Sequence, residues 1–463
     1  MKQAIRGVTW LGAMLVAGAA MAAEEGASEY PKLTWGGQFR LRQETFDHVP
    51  IKADPPGETR GGLNNYMRFR TQIWGQFDID EHIGVYGRLA NEFRHYYDPE
   101  ENTTWEFPDE TVVDNLYLDL RKLLADESLS IRIGRQDLFY GPGGKPFGNG
   151  RMILEGTPKD GSRTIYFDAA RLTWTKDKTT INLIGIYNRS DAELLINKQD
   201  RDITGYSGAY NDLDESGVIL YVTQALDQDH WFECYYIYKH ESEWENGTAP
   251  RMPDLYVNTI GALFATTHSK MFSSSIEAAG QLGERDEEGT MPETTLCGYM
   301  LDGYVKANLS PENEMKPFAK LGVTWYSGND GGTKDDEGWN PLWGRYPQIG
   351  TADLMAYSYD ADGAARWSNL TFFYGQAGVN LTKDIEWKAM VGQISACEAD
   401  GPGGGYQRGL YAGSAIGGIL FRPNIRAKDS IKGQIVFEAL EPGDYYNVDK
   451  TAYFGRWELA YNF

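Results

Sequence analysis

Polar and apolar residues alternate with a period of two over long stretches of this chain. From Leu33 to Glu44, Trp35, Gly37, Phe39 and Leu41 interleave with Gln38, Arg40, Arg42 and Glu44. From Asn65 to Ile79, Met67, Phe69, Ile73 and Phe77 interleave with Arg68, Arg70, Gln72, Gln76 and Asp78. From Val85 to Arg94, Val85, Leu89 and Phe93 interleave with Arg88, Glu92 and Arg94. At the far end Tyr453, Trp457, Leu459, Tyr461 and Phe463 share one parity, while Arg456, Glu458 and Asn462 share the other. Successive side chains of a strand point to opposite faces, so this pattern predicts strands with one greasy and one charged face. An aromatic strand running to the last residue would template aggregation if its edge stayed bare. Pairing it with the first strand removes the edge, which is the solution of closed barrels.

The same rule predicts strands near 112–121, 129–137, 164–175, 180–189, 215–226, 230–241, 254–266, 271–283, 295–308, 315–327, 366–382, 385–396, 409–426, 431–440 and 451–463. With the first three, the total is about eighteen. Short connections such as Asp80-Glu81-His82, Asp177-Lys178, Asp227-Gln228-Asp229 and Lys383-Asp384 take turns with long polar ones, notably 138–163, 190–214 and 328–365. Short turns on one side and long loops on the other are the outer-membrane pattern, and the parity puts both termini on the periplasmic side. The expected fold is therefore all-β: a single transmembrane antiparallel barrel, wide enough for an aqueous lumen. The segments 190–214 and 328–365 are too polar and glycine-rich to assign.

The first residues place Lys2 and Arg6 before an apolar run from about Val8 and then Ala20-Met21-Ala22, the layout of a secretory signal. Its apolar run is shorter than the ~20 residues a spanning helix needs. Residues 1–22 are thus read as a signal peptide and 23–463 as one barrel domain in the bacterial outer membrane, with lipid as its surroundings. The formal charge of −22 argues against a nucleic-acid partner. It does not fix the charge of an interior, because net charge describes the whole surface. Aromatic residues make up 13%, with 29 Tyr and 13 Trp, which suits aromatic girdles at two membrane interfaces. Cys234, Cys297 and Cys397 are odd in number and far apart, and the six histidines show no metal spacing. No nucleophile elbow or phosphate loop occurs, so neither an enzyme nor a cofactor is expected. Two acidic loops, one with Asp330, Asp335 and Asp336 and the other with Asp360 and Asp362, are candidates for calcium, against the plainer reading of solvated loops.

The predicted inner face carries the chemistry. Arg40, Arg42, Arg68, Arg70, Arg88 and Arg94 share it with Glu44, Asp78 and Glu92, and later strands add Arg132, Lys306, Lys316 and Lys320 beside Glu277 and Asp302. A guanidinium grips a carboxylate through two parallel hydrogen bonds and keeps its charge at any working pH. Rings of Arg and Lys confer anion selectivity on pores. The competing reading is that Arg–Glu pairs merely brace a wide barrel. If the arginines line a path, Arg68→Glu with Arg70→Glu is expected to reduce or reverse anion preference without unfolding the protein.

The block from Ile131 to Trp174 adds a resemblance. Gly134-Arg135-Gln136, Tyr140-Gly141, Gly150-Arg151-Met152-Ile153, Arg163-Thr164 and Phe167-Asp168-Ala169-Ala170-Arg171-Leu172 look like the signature region of the alginate-export family of outer-membrane porins. The resemblance implies an eighteen-stranded barrel passing an acidic uronate polymer, another anionic saccharide or a small anion through an arginine-lined constriction. It also implies Arg135, Arg151, Arg163 and Asp168 as path residues, and a periplasmic secretion apparatus as partner if the cargo is exported alginate. Alternation with Ile131 and Ile133 points Arg135 toward lipid unless a bulge at Gly134 turns it inward. The alternatives are a general diffusion porin, a mainly structural barrel, and a secreted all-β glycan-active enzyme with a carboxylate pair in a cleft.

Overall fold

The computed structural model describes residues 30–49, 63–98, 110–125, 127–138, 140, 167–189, 214–242, 253–287, 291–343, 368–398, 408–421, 430–443 and 450–463. The proposed signal peptide, Arg151, Arg163, Asp360 and Asp362 lie outside them. The strands are β1 (Lys32–Asp47), β2 (Asn64–Asp78), β3 (Ile83–Asp98), β4 (Glu110–Leu120), β5 (Leu129–Gln136), β6 (Phe167–Lys176), β7 (Thr179–Asn188), β8 (Glu215–Ala225), β9 (His230–Glu241) and β10 (Leu255–Thr267). They continue as β11 (Phe272–Arg285), β12 (Thr294–Leu296), β13 (Tyr299–Asn308), β14 (Phe318–Tyr326), β15 (Leu370–Thr382), β16 (Ile385–Ser395), β17 (Arg408–Phe421), β18 (Ser430–Glu441) and β19 (Ala452–Asn462).

Every long strand pairs antiparallel with the next along the chain, and β19 pairs back onto β1 from Gln38 opposite Asn462 to Asp47 opposite Tyr453. Among the described residues the ring holds eighteen long strands; the three-residue β12 sits on the end of β11. The predicted strand at 295–308 is thereby interrupted, because Cys297 and Gly298 break from the ladder and Cys297 N–H donates to Asp336 O instead. No described helix is long and apolar enough to cross a membrane, so any crossing falls to the strands.

Side-chain parity agrees with the sequence pattern. Phe39, Ile73, Leu183, Ile260, Leu282, Leu321, Phe373 and Phe437 are exposed on one face of their strands. The alternate positions Arg40, Arg42, Glu44, Ile184, Ile219, Ile237, Tyr374 and Arg456 are buried on the other. A continuous exposed apolar surface around a closed sheet is what lipid covers.

The short turns are built by aspartates. Asp80 Oδ1 accepts the N–H groups of His82 (2.7 Å) and Ile83 (2.8 Å), and Asp227 Oδ1 those of Asp229 (2.7 Å) and His230 (2.8 Å). These donors hold both carboxyls below their ordinary values, since they stabilise only the charged form fully. At the seam, Phe463 exchanges backbone hydrogen bonds with Gly37 at 3.0 and 3.1 Å and stacks on Phe39. A Cβ at Gly37 would stand 2.4 Å from the Phe463 ring, so glycine there makes room for the closing aromatic.

Gly134 carries a second local demand. Its φ is +125°, and a Cβ would lie 2.3 Å from Leu116 O. Gly134→Ala is therefore expected to destabilise the barrel by about 1–3 kcal/mol. The check is the temperature at which the folded form stops running as a compact species in SDS gels.

Candidate functional site: the arginine wall of the lumen

Ladder register explains why the charges converge. Arg42 lies opposite Glu458 on β19 and Arg68 on β2, and Arg68 lies opposite Arg94 on β3. Glu44 lies opposite Arg456 on one side and Tyr66 on the other. Four neighbouring strands thus turn one charged layer into the lumen.

Glu44 is the hub, with no exposed surface. Its Oε1 accepts Arg456 Nε at 2.8 Å and Arg42 Nη1 at 3.2 Å, and its Oε2 accepts Arg68 Nη1 at 3.4 Å. Arg42 Nε also donates to Glu458 (2.6 Å) and Arg68 Nε to Glu92 (2.7 Å). Arg40 spans the remaining gap, 3.5 Å from Glu92 and 3.9 Å from Glu458. Arg70 donates to Gln38 Oε1 at 2.5 Å; Arg94 donates to Tyr96 Oη at 3.0 Å and lies over the Tyr66 ring. On these four strands Arg40, Arg42, Arg68, Arg70, Arg94 and Arg456 stand with the carboxylates of Glu44, Glu92 and Glu458, and the buried Glu438 lies inward on the adjoining β18, so guanidinium groups outnumber carboxylates among the described residues.

Arg88 stands apart. Its Nε bonds Asp114 at 2.9 Å and its Nη2 bonds Asp137 at 3.0 Å, so it is more than neutralised. Asp114 and Asn115 are both buried because β4 shifts register opposite Arg88 and Leu89, turning two consecutive side chains inward. Arg132 forms a fork with Asp119 at 2.7 and 2.9 Å and covers the Tyr117 ring near the short-turn end.

Several sequence expectations change here. Arg135 and Asp168 do not join the wall. The ladder passes Gly134 without a register shift, so Arg135 stays opposite Leu116 and Asp168 on the parity of exposed Ile133 and Ala170. Arg135 is 3% exposed and closes on Asp168 with two bonds of 2.9 Å, a pair that fastens the long-loop end of the β5–β6 hairpin. Lys316 is likewise displaced: it lies in the exposed turn between β13 and β14 with a positive φ, because β14 starts only at Phe318. Lys320 does face inward, over the rings of Tyr304 (4.0 Å) and Tyr374 (5.4 Å). Asp330 and Asp336 turn their carboxylates onto their own loop, accepting Gly332 N–H and Gly338 N–H. Among the described residues, no group of three or more His, Cys, Asp or Glu is placed to hold a metal ion.

The larger surprise is the opposite wall. Phe167, Ile184, Ile186, Ile219, Tyr221, Tyr235, Ile237 and Val257 are buried and inward on β6 to β10, and Trp339, Leu342 and Trp343 pack on them from the segment after β14. The sequence reading expected polar inner faces on nearly every strand and left 328–365 unassigned. A clue lay in Trp339-Asn340-Pro341-Leu342-Trp343, an apolar knot inside a polar loop. The lumen therefore has one charged side and one mixed side, where apolar residues surround the buried Glu215, Glu233 and Lys239 and chain covers them.

No family model and no curated protein matches this sequence. Solved structures do match in shape. A BenF-like porin from Pseudomonas fluorescens Pf-5 superposes with a TM-score of 0.55 at 10% identity, over 93% of this chain and 98% of that one. OccK2 (OpdF) of Pseudomonas aeruginosa in complex with glucuronate gives 0.55 at 9%, over 93% and 96%. OpdK of the same organism with vanillate gives 0.55 at 8%, over 93% and 98%. This is the fold of the outer-membrane porins. Identities this low carry the fold alone, a single ring of antiparallel strands with the arginine wall on its inner face.

Proposed function

We propose that the chain is a passive outer-membrane channel for small organic anions, uronates among them, with the arginine wall as its selective surface. The observation that carries this reading is the surplus of guanidinium groups on β19, β1, β2 and β3. If bracing were the only role, charges would be expected to balance on that wall, as they do in the Arg132–Asp119 pair. A positive surface inside a low-dielectric shell concentrates anions although the protein as a whole is acidic. A carboxylate is an anion that guanidinium groups recognise through paired, charge-assisted hydrogen bonds.

Two porin-fold neighbours support the solute class: one was crystallised with glucuronate and the other with vanillate, each a ring bearing a carboxylate. The resemblance of residues 131–174 to alginate-export porins extends the same chemistry to a polyuronate. The chain lying across the opposite wall favours single uronate units over a polymer. A catalytic reading has less support, since the inner carboxylates of Glu44, Glu92, Glu458, Asp114 and Asp119 are engaged by arginine.

Planar-bilayer conductance of the refolded mature chain tests the proposal. Anion-selective current, reduced by millimolar glucuronate on one side, is the expected result. A current indifferent to glucuronate would reduce the reading to a general diffusion porin, and a non-conducting protein soluble without detergent would remove the channel altogether.

A further inference from the structure

The chain from Trp339 to Trp343 lies on the inner side of the barrel and passes across the strands from β11 to β8. Asn340 reaches β11, where Gln281 Nε2 donates to Asn340 O at 2.9 Å and Asn340 N–H returns to Gln281 Oε1 at 2.8 Å. Two residues on, Leu342 O accepts Lys239 Nζ of β9 at 2.7 Å. Trp343 then lies over β8, where a Cβ at Gly217 would be 2.6 Å from its ring, and meets Phe167 of β6 edge-on at 5.7 Å. A chain emerging between β14 and β15 is thus tied down as far round the ring as β6.

Lys239 is a buried cation on this wall. It is 2% exposed, and its ammonium is spent on Glu215 (3.1 Å), Glu241 (2.5 Å) and the Leu342 carbonyl, with the Trp343 ring 5.2 Å away. An ammonium has three donors, and here two hold the barrel wall while the third holds the crossing chain. A buried carbonyl aimed at a buried cation is a directional tie, unlike apolar packing, which tolerates sliding.

We propose that Lys239, with Gln281, latches the 327–343 segment to the inner wall and so sets the aperture opposite the arginines. The inference rests on the channel reading for its functional consequence and on the contacts alone for the latch. Removing the tie lets the segment swing off the wall into the lumen's solvent, which obstructs the passage and exposes Trp339, Leu342 and Trp343.

The test compares Gln281→Ala and the charge-balanced pair Lys239→Met/Glu215→Gln with wild type, and uses Lys239→Arg for conservative rescue. Two readouts are taken on the refolded full chain. Chymotrypsin, which cuts after large apolar residues, should cleave at Leu342 and Trp343 at least about tenfold faster in the first two variants. Single-channel conductance should fall by at least about twofold in the same variants. Lys239→Arg should stay near wild type in both. Unchanged protection of Leu342 and Trp343 overturns the latch whatever the conductance does. Faster cleavage with unchanged conductance overturns the aperture role. A wild-type barrel that does not conduct removes the channel reading, while the cleavage rates still decide the latch. The temperature of SDS-induced unfolding, measured in parallel, separates a released segment from a misfolded barrel.

Discussion

Replacing Glu44 by glutamine is expected to destabilise the barrel by about 3–5 kcal/mol, the usual cost of removing one partner from a buried ionic cluster. Three guanidinium groups, on Arg42, Arg68 and Arg456, converge on this one carboxylate, which has no exposed surface. Glutamine keeps the size and one acceptor oxygen. It supplies no charge, however, and its amide N–H groups would face N–H donors. The loss should appear as a lower urea midpoint for the detergent-folded protein. Because β1 and β19 form the seam and Glu44 and Arg456 face each other across it, the variant should also refold more slowly. Adding Arg456→Gln should recover part of the loss, with a coupling in the range of about 0.5–3 kcal/mol. If Glu44→Gln unfolds at the wild-type midpoint, the cluster does not hold the seam and the hub assignment fails.

That cluster also shows how far residue order alone can reach. Parity placed Arg40, Arg42, Arg68, Arg70 and Arg94 on one face correctly, because a strand fixes side-chain direction residue by residue. The strands themselves were legible for the same reason, and alternating turn and loop lengths supplied an independent check on their number. Partners were not legible. Which carboxylate meets which guanidinium depends on the stagger between strands, so Arg456 and Glu458, more than four hundred positions from Arg42 along the chain, joined the wall only once β19 was laid against β1. The Arg135–Asp168 pair was hidden for a related reason. Both sit at positions where alternation says lipid, and only the direct opposition of the two explains why charge is tolerated there. The crossing segment was harder still, since Trp339, Leu342 and Trp343 are apolar toward strands that lie far from them in sequence, and no local period records such a match.

The register also changes which substitutions can test selectivity. Reversing Arg68 would place a third carboxylate beside Glu44 and Glu92, which Arg68 now bridges at 3.4 and 2.7 Å, so lost stability would mask any change in permeation. Arg70→Gln with Arg94→Gln is the cleaner pair. Arg70 bonds the amide of Gln38 and Arg94 the phenol of Tyr96, and neither is part of the Glu44 hub. The pair removes two positive charges from the wall while retaining hydrogen-bonding side chains. Anion preference, read from the reversal potential across a tenfold KCl gradient, is expected to fall severalfold, because lumen charge sets the local ion concentration. The difference should be large near 0.1 M salt, where the screening length is about 10 Å, and small near 1 M, where it is about 3 Å. Inhibition by glucuronate should weaken in parallel, since the same donors would bind its carboxylate. A double variant that unfolds like wild type and keeps its ion preference at low salt would show that the arginines brace the barrel and do not select what passes through it.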